Sequence, residues 1–75
     1  MKTPTEAEIL GRLGARVAVL RRLKKWTQLQ LAERAELPRS YVADIEGARR
    51  NPSLRTLMRL AAALGVTLRD LFGEN

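Results

Sequence analysis

The stretch PRSYVADIE, residues 38–46, decides how this chain is to be read. At helical spacing it has one apolar edge, Val42 and Ile45, and an opposite edge of Ser40 and Asp44 flanked by Arg39 and Tyr41. A small fold needs the apolar edge. It does not need an arginine, a hydroxyl, a phenol and a carboxylate along one short outer surface, so that edge calls for an explanation outside the fold.

Working outward, Pro38 suits the first position of this helix, where its missing N–H removes no hydrogen bond, and the helix should end near Gly47. Upstream, Thr27 and Gln30 form a capping box, which satisfies two orphan donors at a helix start. Leu29, Leu31, Ala32 and Ala35 then supply the buried side of a short helix, broken at Glu36–Leu37–Pro38. Earlier still, Pro4, Thr5 and Glu8 open a longer helix with Leu13, Val17 and Leu20 on its apolar stripe, expected from about residue 6 to about residue 24. Downstream, Asn51–Pro52–Ser53 is a loop ending in an N-cap. Leu54, Leu57, Leu60, Ala61 and Leu64 mark a fourth helix, stopped by Gly65. Thr67 with Asp70 opens a short fifth helix, LRDLF, ending at Gly73. No β-alternation or repeat interrupts the pattern, which predicts an all-α, compact five-helix bundle.

Seventy-five residues give room for one domain, 1–75. Lysine and arginine total 14 against 8 acids, a net charge of +6 and a pI near 11.1. Such an excess points to a polyanion, nucleic acid before an anionic membrane surface, against the plainer reading that charge only keeps the protein soluble. Six of the basic residues lie between Arg12 and Lys25, with no acid among them. A basic helix with an apolar stripe also suits a membrane surface, but the stripe is better used as core.

With no cysteine and no histidine, disulfides, thiol or imidazole metal sites and the common acid–base catalysts are excluded. The acids are scattered and no glycine-rich phosphate loop appears, so no enzyme, cofactor or metal is expected. The start MKTPTEAEILG has no apolar run suited to a signal peptide, and no segment approaches the roughly 20 apolar residues of a membrane span. A cytoplasmic location is expected.

From Leu13 to Phe72 the sequence resembles the XRE-type (Cro/phage-repressor-like) helix-turn-helix regulators. The resemblance rests on LGARVAVLRR, TQLQLAERA, SYVADIE, RRNPSLRTLMRLAAALGV and LRDLF, all in order. It implies a lambda-repressor-like DNA-binding domain. Residues 1–12 would be an N-terminal extension and the start of helix one, and 28–46 the helix-turn-helix. The third helix would lie in the major groove of double-stranded DNA and the second would touch backbone. Where the family often has glycine, this chain has Lys25 and Glu36, and the usual Asn-Gly or Arg-Gly after the glutamate is Gly47–Ala48. A left-handed backbone at Lys25 or Glu36 would be strained, so the turns are expected to differ locally.

The resemblance implies base contacts from Arg39, Ser40, Tyr41 and Asp44. Arginine can pair bidentately with guanine O6 and N7, serine is permissive, and a carboxylate can accept from cytosine N4. Tyr41 could instead pack on helix two, and Asp44 could repel wrong sequences or serve as a partner for Arg39 or a nearby base. Gln28, at a helix start, and Arg49, Arg50 and Asn51, after helix three, match phosphate-contacting positions. Arg21 and Glu46 match a structural ion pair tying helix three to helix one. Trp26 is expected as a lid over helices one and two.

One recognition helix covers few base pairs, so a homodimer on a (pseudo)palindromic operator is expected, with half-sites roughly 34–36 Å apart. Val66, Leu68 and Phe72, joined by Leu64 and Leu71, are the expected two-fold face, some of them also completing the core. A narrower resemblance is to restriction–modification controller proteins, carried by Arg39–Ser40–Tyr41 and by Arg50–Asn51 after Ile45–Glu46. The rival class is an antitoxin-like or adaptor module whose main partner is another protein. Little sequence lies beyond the five helices to bind one.

Overall fold

The computed structural model describes residues 2–73. Among them five helices follow in order: α1 Glu6–Leu23, α2 Gln28–Ala35, α3 Arg39–Glu46, α4 Leu54–Leu64 and α5 Leu68–Leu71. Side-chain oxygens close four of the five helix starts. In the boxes at α1, α2 and α5, the backbone N–H groups of Thr5, Thr27 and Thr67 reach Glu8, Gln30 and Asp70 at 3.1, 2.8 and 2.9 Å. At α4 the Ser53 hydroxyl accepts from the Thr56 N–H at 3.1 Å. The start of α3 has no side-chain cap. Pro38 stands one place earlier than expected, at the N-cap rather than inside the helix, with φ −60° and ψ 144°. Its fixed φ still supplies a ready helix entry.

The core draws on every helix. Leu13 and Val17 of α1, Leu31 and Ala35 of α2, Val42 and Ile45 of α3, Leu60 and Leu64 of α4 and Leu71 of α5 bury against one another. α3 packs on both α1 and α2, α2 also carries α4, and α5 bridges α4 and α1. Leu64 and Leu71 are thus consumed by this core, which removes them from the expected dimer face.

The turns keep a left-handed step without glycine. Lys25, Glu36 and Ala48 have φ of 60°, 57° and 57°. The expectation of altered turns is corrected: the backbone takes the conformation in which glycine would be unstrained and accepts about 1–2 kcal/mol at each residue. At Glu36 the step lets the Leu37 N–H reach the Ala32 carbonyl at 2.9 Å, closing α2 and aiming the chain into α3.

Candidate nucleic-acid interface

Two features seat α3 against α1. Gly14, buried in the middle of α1, faces the carboxyl end of α3. A Cβ there would overlap the Ile45 carbonyl oxygen and lie 2.7 Å from that of Glu46. Only a bare α-carbon permits this approach. Beside it, Arg21 grips Glu46 through two parallel bonds, Nε to Oε2 at 2.7 Å and Nη2 to Oε1 at 3.0 Å. Its third nitrogen donates to the Trp26 carbonyl at 2.7 Å. The two side chains are only 11% and 7% exposed. Hydrogen bonding to Glu46 raises the Arg21 pKa above its ordinary value, against the opposing pull of burial.

With Val42 and Ile45 locked inward, α3 turns its other edge out. Arg39 and Ser40 are exposed, and Ala43 and Asp44 are half-buried at its flanks. This is the polar edge of PRSYVADIE, and it is free of the protein's own interior. Tyr41 is half-buried and its ring carries the Arg50 guanidinium at 3.8 Å. Asp44 is the partner of the loop arginines and not of Arg39, with Arg50 Nη2 at 3.3 Å and Arg49 Nε at 3.6 Å. Arg49 also donates to the Ala43 carbonyl at 3.3 Å. Asn51 is exposed next to them. Tyr41, Asp44, Arg49 and Arg50 are therefore linked on one surface, with Arg39 and Ser40 exposed at the start of the same helix.

Gln28 joins the Arg21–Glu46 pair. Its amide nitrogen donates to Glu46 Oε1 at 3.0 Å, so one of its two N–H bonds is taken and one is left for a ligand. Sequence reasoning missed this bond, as it missed Gly14. A glycine inside an otherwise apolar helical stripe was the available signal for the second. It also missed that Arg16, in the basic run of α1, is structural like Arg21, donating to the Asp70 carbonyl at 2.9 Å. Trp26 is half-buried against the core as expected, its ring flanked by Arg34 at 4.3 Å and Lys24 at 5.3 Å. Val66, Leu68 and Phe72 are half-buried on the core's edge, where Leu68 and Phe72 line a shallow apolar groove with Pro4 and Ile9. No helix among the described residues is long and apolar enough to cross a membrane.

Two short helices joined by a left-handed turn, the second held with its polar edge outward, make a helix-turn-helix. A helix-turn-helix family model matches residues 17–71, and the chain belongs to that family, in its XRE (Cro/repressor) type of transcriptional regulator. The immunity repressor protein of Bacillus phage phi105 is 52% identical over 62 residues, 83% of this chain and 43% of the repressor. The chain thus spans less than half of that relative's length. The control protein C.MunI of Mycoplasma sp is 38% identical over 68 residues, 89% of this chain and 92% of that protein. Among solved structures, the restriction-modification controller protein C.AhdI from Aeromonas hydrophila matches with a TM-score of 0.82 at 41% identity. That match covers 84% of this chain and 96% of the other.

Proposed function

We propose that the protein is a sequence-specific transcriptional regulator of the restriction–modification controller kind. It binds double-stranded DNA in the cytoplasm as a homodimer on a (pseudo)palindromic operator, with residues 1–75 acting as one DNA-binding unit. The observation that carries this reading is the outward edge of α3, where Arg39 and Ser40 stand exposed and Asp44 and Tyr41 hold the arginines of the loop that follows. A helix of this width fits the major groove, where base edges present distinct donor and acceptor patterns. Arg39 and Ser40 read bases, while Arg49, Arg50, Asn51 and the remaining amide proton of Gln28 hold phosphates. The controller reading is supported by similarity that runs nearly the full length of C.MunI and C.AhdI. Val66, Leu68 and Phe72, with Ile9 at the margin, form the two-fold contact.

Selection from random duplexes, followed by footprinting, tests this directly. The expected product is a palindrome protected on two adjacent helical turns. Arg39→Ala should weaken the selected site by about 1–3 kcal/mol and relax preference at one base position. Affinity should fall steeply with salt, as several phosphate contacts require. The second reading, a protein-interaction module, is favoured by one observation: Leu54 and Met58 are 62% and 56% exposed along the outer face of α4. Absence of DNA binding, together with salt-insensitive binding of a protein, would select it.

A further inference from the structure

We propose that Asp44 is an internal counter-ion for Arg49 and Arg50 rather than a reader of base edges, and that it sets how strongly this face holds any duplex. The inference deepens the DNA-binding reading and rests on it. Ala48, left-handed at φ 57°, turns the chain back after α3, and the Arg49 N–H then donates to the Asp44 carbonyl at 2.8 Å. That turn delivers both arginines to one carboxylate. Oδ2 takes Arg50 at 3.3 Å and Oδ1 faces Arg49 at 3.6 Å, so each oxygen is matched to its own guanidinium.

Arg50 is held on three sides. Tyr41 lies under its plane at 3.8 Å, Asp44 takes Nη2, and Nε is buried without a hydrogen-bond partner. A planar fork binds phosphate best with two adjacent N–H groups, and along the Nε–Nη2 edge one is occupied and the other covered. Arg50 must therefore turn out of this seat to offer a phosphate that edge of its fork, and the Asp44 carboxylate competes with phosphate for the guanidinium. Arg49 folds back over Gly47, whose added Cβ would collide with the guanidinium, and it gives a second bond to Ala43. The Asp44 side chain is 32% exposed and those of Arg50 and Arg49 are 36% and 63%, so solvent screens these pairs. The restraint is soft enough for DNA to displace and strong enough to lower affinity several-fold.

Asp44→Asn keeps the shape and removes the charge. Its affinity should rise about two- to tenfold on the selected duplex and on an unrelated duplex alike, with a steeper salt dependence. The base preference recovered by selection should be unchanged. In an Arg49→Gln/Arg50→Gln background most of the gain should vanish, and Asp44→Ala should behave as Asp44→Asn does. A changed preference at one base position, or weaker binding by both neutral variants, would overturn the proposal and restore Asp44 as a base contact. If folded wild-type protein, checked by far-UV ellipticity, bound neither duplex, the DNA-binding reading itself would fall and this inference with it.

Discussion

Replacing Arg21 by methionine, or Glu46 by leucine, removes one half of the pair that fixes α3 on α1. The Glu46 carboxylate accepts from Arg21 at 2.7 and 3.0 Å and from Gln28 at 3.0 Å, and Arg21 holds one further acceptor, the Trp26 carbonyl. Arg21→Met leaves a carboxylate in a 7% exposed site with one neutral donor. Glu46→Leu leaves a guanidinium that cannot shed its proton with only a backbone carbonyl. Stranding a buried charge costs about 3–5 kcal/mol. A domain of this size has roughly 4–11 kcal/mol in total, so either single variant should lose much of it. The Arg21→Met/Glu46→Leu double variant strands no charge, only the neutral Trp26 carbonyl and Gln28 amide, and should be more stable than either single. Urea unfolding followed by far-UV ellipticity gives the three values, and the cycle should return a coupling of about 3 kcal/mol or more. Single losses below about 1 kcal/mol, adding without coupling, would show that the pair behaves as a solvent-exposed one and refute the reasoning.

Gly14→Ala should destabilise by about 3 kcal/mol or more through the backbone clash with α3, whereas Gly11→Ala, with nothing within 4 Å, should stabilise by about 0.5–1 kcal/mol; thermal unfolding of both checks the contrast. Glu36→Gly and Ala48→Gly relieve left-handed strain at φ 57° and should each raise stability by about 1 kcal/mol, seen as a higher urea midpoint. Glu8 and Asp70 titrate below their ordinary values, chiefly because the N-cap backbone N–H groups of Thr5 and Thr67 bond their charged forms, with the Thr hydroxyls next and Arg12, Arg16 and Arg69 contributing less. A lowered carboxylate pKa gives stability that is complete above the unfolded value and lost as pH falls through the folded one. Melting temperature should therefore drop below about pH 4, and Glu8→Gln/Asp70→Asn should flatten that part of the profile.

The helix starts were legible because a cap is a local device. Thr5, Thr27 and Thr67 each have their partner three residues on, and the structure closes all three boxes. The inward edge of α3 was legible from Val42 and Ile45, since periodicity reports burial. What the sequence could not convey depends on distance between elements. Gly14 matters only because α1 and α3 touch at that point, and the Gln28–Glu46 bond joins residues brought together by the α2–α3 turn. The turns were misjudged for a related reason. Propensity disfavours Lys25, Glu36 and Ala48 at positive φ, but the packed helices on either side decide the path. The resemblance implied a base contact at Asp44, beside the alternative of an ion pair with Arg39 or a nearby basic residue. The actual neighbours of Asp44 come from the loop beyond Ala48, whose course no local pattern announces.

Backbone amide shifts of the labelled protein, followed on addition of the selected duplex, test the central claim most directly. Perturbations are predicted at Gln28, at Arg39–Asp44 and at Arg49–Asn51, with the Arg50 Nε–H signal moving as its seat opens. Shifts confined to the outer face of α4 around Leu54 and Met58, with α3 silent, would contradict the account.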